Sequence, residues 1–299
     1  MFDVHKIAGS IPAGPTPSLD SFFHLFKPSR RGSNCNLLIR SCWGGGGKLA
    51  PGLLQDFDNL IQGGFRENTI YLLRGVPSSG KTSFALTLAR ELIAQRDRKV
   101  VYAVTEVSPD ELMAHAKHGF GWDLSIPEKE GNLVFVDGYS WRLGSGKAGE
   151  RESADLTNLS DVGRELFKLI VQEKERAGKA KKDGHPFFFI FDTATTLFLY
   201  NDESDVIKFL QIQIARLRDA NISALLLLEE GVNDQGLVQA LGVSVDGVFE
   251  LRLTDVEDEP KKSFRVFSVR SAVHQKKWFD CDVDKQGFHF LEEIPEALK

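Results

Sequence analysis

Apolar residues along the chain fall into two alternating kinds of pattern. One is the short saturated run: TIYLLRG (Thr69 to Gly75), VVYAVTE (Val100 to Glu106), NLVFVDGY (Asn132 to Tyr139) and ISALLLLEE (Ile222 to Glu230). Their length and β-branched or bulky composition predict strands. Five bulky apolar residues between Pro186 and Asp192 show no polar alternation, as expected for a strand covered on both faces. The other pattern has helical spacing: Phe84, Leu88 and Leu92; Val162, Leu166, Leu169 and Ile170; Val206, Leu210, Ile214 and Leu217. A further helix is predicted to start at Ser108-Pro109-Asp110-Glu111, with serine as N-cap, proline at the first helical position and Glu111 closing a capping box.

Strands that alternate with helices predict an α/β fold, with a mainly parallel central sheet, right-handed crossovers and helices on both faces. Three later runs, GVFELRL, FRVFSVR and GFHFL, are separated by short turns and are expected to extend that sheet antiparallel. Residues 1–50 differ. They carry prolines, glycines and the basic residues Lys27, Arg30 and Arg31, with one candidate strand at Leu37 to Ile39. This stretch reads as a partly irregular N-terminal extension, and 51–299 as one domain. Residues 141–160 are polar and glycine-containing, a long loop of the kind that is functional or mobile. No repeat of 20 to 50 residues is visible.

The first predicted strand runs into GVPSSGKTS, Gly75 to Ser83. Gly75, Gly80, Lys81 and Thr82 match G-x-x-x-x-G-K-S/T, and Pro77, Ser78 and Ser79 fill the loop between them. Such a loop turns backbone N–H groups toward phosphate oxygens, and the lysine adds a point charge. Thr82 offers a hydroxyl to Mg2+, and the helix that follows points its positive end at the anion. Two other glycine–lysine stretches fail the same test. At Gly44 to Lys48, Cys42 and Leu49 stand where glycine and a hydroxyl are required. At Gly144 to Lys147, Trp141 and Ala148 do.

A phosphate loop needs partners. Asp192 ends the buried fourth strand, where a carboxylate can hold Mg2+ through water beside Thr82. Glu106 ends the second strand, where it can orient or deprotonate an attacking water. Ligands in parallel sheets gather at these strand ends. Glu229 and Glu230 end the fifth predicted strand and are secondary candidates for the same cleft.

Bulk properties narrow the function classes. The chain has 299 residues, 42% of them hydrophobic, enough for one large core or two smaller ones. A formal net charge of −5 gives no support to a chain-wide nucleic-acid surface. No apolar run is long enough for a membrane helix, and the first residues lack a secretory pattern. Cys35, Cys42 and Cys281 form no CxxC pair, which suggests reduced thiols, so the cytoplasm is the expected compartment.

These motifs resemble the RecA superfamily, most closely its KaiC-like branch, which includes archaeal RadA-related and gas-vesicle-regulator ATPases. The similar stretches span about 52 to 291. They are GLLQDFDNLIQGGF ahead of the first strand, GVPSSGKTSFAL, VTEVSPDELMAHAKHGFGWDL, FFFIFDTATT and VDGVFEL. The resemblance implies a RecA-like three-layer fold, ATP rather than GTP, Mg2+, and a homo-oligomeric ring such as a hexamer with nucleotide at subunit junctions. It also implies Glu106 as base and Arg270, supplied in trans, as a loose equivalent of an arginine finger. Two departures bear on turnover. Val107 replaces the family's second glutamate, and Ser268-Val269-Arg270-Ser271 stands where the family has Lys-Met-Arg-Gly. The expected function is a slow Mg2+-dependent ATPase acting as a regulatory or assembly module, with a partner protein left open. The alternatives are a recombinase-type DNA-dependent ATPase, whose candidate contacts are Lys174 to Lys182, Gln275 to Trp278 and the segment Gly231 to Gly242, or a non-hydrolysing nucleotide-binding scaffold.

Overall fold

β1 (Ile70–Gly75) runs through the middle of the molecule because none of its first four residues meets solvent. In the computed structural model, which describes residues 52–295 apart from 97, 144–150, 181–186, 232–234 and 258, it is flanked by parallel neighbours on both sides. β6 (Ala224–Glu229) lies on one side and β7 (Gly247–Val256) on the other. The parallel array continues from β6 through β5 (Phe188–Asp192), β2 (Val100–Val104), β3 (Leu133–Asp137) and the two-residue β4 (Glu152–Ser153). On the other side β7, β8 (Glu259–Val269), β9 (Phe279–Asp284) and β10 (Gly287–Phe290) pair antiparallel in turn, which completes a 10-stranded sheet.

The expectation for the late strands is corrected at one point. GVFELRL does not merely extend the sheet antiparallel: β7 enters it beside β1 and parallel to it. Leu241 and Val245, in and just after α7 (Gln235–Ser244), pack in one core with Val248 at the start of that strand. Only β8, β9 and β10 are antiparallel additions. The N-terminal extension with its candidate strand, both rejected glycine–lysine stretches, and Cys35 and Cys42 lie outside the described residues.

Two cores sit on the two faces of the sheet. α1 (Leu53–Leu60) and α2 (Lys81–Arg96) cover one, where the Phe57 ring meets Phe65 at 4.6 Å and Phe84 and Phe264 at 5.7 Å. Burying a side chain of this size stabilises by about 1.5–3 kcal/mol. α5 (Leu159–Ala180) and α6 (Glu203–Asp219) cover the other face with Val162, Leu166, Leu169, Ile170, Val206, Leu210, Ile214 and Leu217, the residues whose helical spacing marked them. α3 (Pro109–Phe120) starts as expected: the Ser108 hydroxyl accepts from the Glu111 N–H, and the Glu111 carboxylate accepts from the Ser108 N–H. A short α4 (Ser125–Lys129) leads into β3. The predicted loop after β3 contains a 3-10 turn (Ser140–Leu143) and β4.

Candidate functional site

Gly75 closes β1, and the next turn leads directly into α2. Two glycines are required there by geometry. A Cβ on Gly75 would lie 2.4 Å from the Leu251 carbonyl oxygen, which is backbone and cannot move aside. Gly80 has φ +104°, a conformation that side chains disfavour. Ser78 also takes a positive φ of 63°, a strained value of the kind that clusters at ligand clamps. Pro77 and Ser78 are exposed at the tip, while Ser79 is buried and its hydroxyl has no hydrogen-bond partner in the loop. Ser83 follows in the first turn of α2, its carbonyl accepting from Thr87.

Lys81 is buried, with 6% exposure, and its ammonium fills the loop. It donates to the Gly75 carbonyl at 3.0 Å, the Val76 carbonyl at 2.9 Å and Glu229 Oε1 at 3.2 Å. The two carbonyls belong to the loop itself, so the lysine stands where phosphate oxygens would replace a carboxylate. Thr82 Oγ1 donates to Asp192 Oδ1 at 3.2 Å, and Tyr102 donates to Asp192 Oδ2 at 2.7 Å. Burial pushes the Asp192 carboxyl above the usual range, opposed by its bonds to Tyr102 and Thr82 and by the Lys81 charge. Burial also raises the Tyr102 phenol, as does the adjacent Asp192 charge.

The donors present suit Mg2+. A hydroxyl and one carboxylate beside a phosphate loop match the way this ion is held, by one or two protein oxygens plus substrate phosphates. No group of three or more His, Cys, Asp or Glu able to hold a metal occurs among the described residues.

Glu106 follows β2 at the same sheet edge and is exposed. Partial desolvation raises its carboxyl above the usual range. The Glu229 and Asp192 charges add to that shift, and Lys81 and Arg142 oppose it. Val107, where a second carboxylate was expected by resemblance, is 36% exposed.

Arg270 is not brought to this cleft. Its N–H donates to the Asp246 carbonyl at 2.7 Å, and the Asp246 N–H donates to the Ile70 carbonyl, which places Arg270 at the far end of β1 from Gly75. Its guanidinium donates to the Val243 carbonyl. Glu230 also points elsewhere, pairing with Arg74 at 3.1 Å.

Three residues around the site, Tyr102, Arg142 and Lys262, escaped the sequence reading, and a fourth, Glu229, was ranked too low. Glu229 was a secondary candidate for the cleft, yet it is the carboxylate that meets Lys81. Tyr102 looked like one more apolar strand residue. Arg142 donates to the Thr105 carbonyl at 2.9 Å and to the Tyr200 hydroxyl at 3.0 Å, securing the turn that carries Glu106. Lys262 borders the loop, its Cδ lying 4.0 Å from where a Gly80 Cβ would sit. Only Glu229 left a sequence signal, a strand-end acid facing the phosphate loop.

Of the candidate DNA contacts, Trp278 stacks with Arg252 at 4.1 Å and Arg265 at 4.5 Å, and Lys277 lies 4.5 Å over Phe279. Cys281 is buried, and desolvation pushes its thiol up to about 12, which disfavours the thiolate form. No helix among the described residues is long and apolar enough to cross a membrane.

Comparison with known proteins bears on the family and the fold. A UPF0273 protein of Pyrococcus furiosus is 26% identical over 233 residues, covering 77% of this chain and 88% of its own length. The circadian clock oscillator protein KaiC of Acaryochloris marina is 24% identical over 242 residues, 80% of this chain and 43% of that protein. The crystal structure of a KaiC-like protein from Pyrococcus horikoshii OT3 superposes with a TM-score of 0.63 at 24% identity, over 79% of this chain and 95% of that one. It supports the RecA-like α/β fold. The family model described as "ATPase: KaiC" matches residues 50–294, and the chain therefore belongs to the KaiC ATPase family, whose members bind nucleotide.

Proposed function

We propose that the chain binds ATP with Mg2+, hydrolyses it slowly, and acts as a regulatory or assembly module in the cytoplasm with nucleotide at the junctions of a homo-oligomeric ring. The observation that carries this reading is the Thr82–Asp192 pair at 3.2 Å at the end of the loop whose Gly75 and Val76 carbonyls, with Glu229, hold the Lys81 ammonium. Lys81 would exchange Glu229 for the outer phosphates, and Thr82 and Asp192 would hold a Mg2+ ion, whose charge would offset that developing on the phosphates. Glu106 takes the proton of the attacking water or orients it. Arg270 sits far from its own loop, so any contact it makes with nucleotide is to that of a neighbouring subunit.

A non-hydrolysing scaffold is the second reading, supported by the apolar Val107 beside an exposed Glu106. One experiment separates the two: light scattering with and without Mg-ATP, with phosphate release followed in the same sample. ATP-dependent assembly with slow release supports the ATPase. Assembly with no product over hours supports the scaffold, and neither assembly nor nucleotide binding would defeat both.

A further inference from the structure

We propose that Tyr102 is a positioning residue that sets Asp192 for the metal ion, a role that rests on the Mg-nucleotide reading above. Tyr102 lies on β2 with no exposed surface, and its strand pairs with β5 so that Val104 stands opposite Asp192. Its hydroxyl donates to Asp192 Oδ2 at 2.7 Å, which leaves Oδ1 to face Thr82 at 3.2 Å. The main chain of Asp192 is tied as well, its carbonyl accepting from the Thr105 N–H at 2.9 Å. Backbone and one carboxylate oxygen are thus both held, and a single oxygen is turned toward the loop.

The ring alone does not require this hydroxyl. Tyr102 packs on Phe135 with ring centroids 6.0 Å apart in an apolar layer, where phenylalanine would fill nearly the same volume. A buried hydroxyl costs stability unless it is bonded, and here its partner is the strand-end carboxylate of the site. Groups that orient a metal-holding side chain from behind typically change metal affinity about 10–100-fold when removed.

The test is Tyr102→Phe in the full chain, with binding of a fluorescent ATP analogue titrated against Mg2+ and repeated in EDTA. The Mg2+ concentration at half-maximal binding is expected to rise at least about tenfold, with analogue affinity in EDTA unchanged. An unchanged Mg2+ midpoint overturns the proposal. A cycle guards against a merely structural effect. In an Asp192→Asn background, adding Tyr102→Phe is expected to shift the Mg2+ midpoint no further, and a shift equal to that of the single variant overturns the role. If the wild-type chain binds the analogue equally well with and without Mg2+, the parent reading fails before the variant is considered.

Discussion

Two carboxylates end neighbouring strands of one cleft, and their surroundings could hardly differ more. Asp192 is 5% exposed, with one oxygen on Tyr102 and the other on Thr82. Glu106 is exposed, follows a strand end instead of lying within it, and has Val107 beside it. Its charge is tuned by groups across the cleft, Glu229, Asp192, Lys81 and Arg142. The contrast separates two tasks. Holding a metal nucleotide calls for fixed oxygens that cost nothing to organise when the ligand arrives. Activating water calls for a group that solvent can reach, and its efficiency depends on how the closed, nucleotide-bound site places it.

If the two halves are separable, variants will split affinity from turnover. Glu106→Gln carries the largest expected effect, a fall in hydrolysis of about 10²–10⁴-fold with Mg-ATP affinity unchanged; steady-state phosphate release beside a binding isotherm reads both. Equal turnover in the variant would remove Glu106 as the base. Lys81→Ala comes next: losing a charge-assisted bond to phosphate is expected to weaken nucleotide binding by about 10–100-fold, measured by equilibrium dialysis, and undiminished affinity would undo the binding half. Glu229→Gln runs the other way. It frees Lys81 from a partly buried ion pair, so nucleotide affinity is expected to rise by about two- to fivefold, and a fall would mean that Glu229 itself contacts the ligand.

The smallest effect tests the frame that both halves share. Asp56 in α1 is pushed up to about 6, first by burial and then by the neighbouring Glu91 charge. Glu91 itself accepts from the Leu53 and Leu54 N–H groups at 2.9 Å, capping that helix. Because the folded pKa exceeds the unfolded value, the native state holds the proton more tightly, and this stability is lost as pH rises through 6. Asp56→Asn is therefore expected to raise the melting temperature at pH 8 by about 2–4 °C, roughly 1 kcal/mol after allowance for solvent screening of a half-buried group. The gain should vanish near pH 4 without altering nucleotide affinity at either pH. A gain that is the same at both pH values would show that charge is not the cause.

Much of this was legible in the chain. Helical spacing named the buried faces of α5 and α6, and Ser108 to Glu111 named a helix start, because both patterns are local and physically obligatory. β9 escaped notice: FDCDVD alternates correctly, but aspartate is a poor strand former, and its apolar side pays off only once β8 lies beside it. α1 also went unread, although Leu53, Leu54, Phe57 and Leu60 stand at helical spacing, because eight residues give only a short pattern, and α7 carries Gly236 and Gly242, which weaken its helical signal. The placement of β7 was beyond reach for another reason. A late strand with an alternating pattern can join either edge, and its entry beside β1 depends on contacts with α7 and β1 that are distant in sequence.

The site divides along the same line. The amino-acid sequence by itself determined the phosphate loop, the strand before it, the helix after it and the two acids at strand ends, because each is written within a few consecutive residues. Only the tertiary structure decided that Lys81 rests on Glu229, that Tyr102 holds Asp192, that Arg142 braces the turn before Glu106, and that Arg270 stands at the opposite end of β1. Those outcomes depend on strand order and register, which bring together residues as far apart as Tyr102 and Asp192 and which no local pattern of residues records.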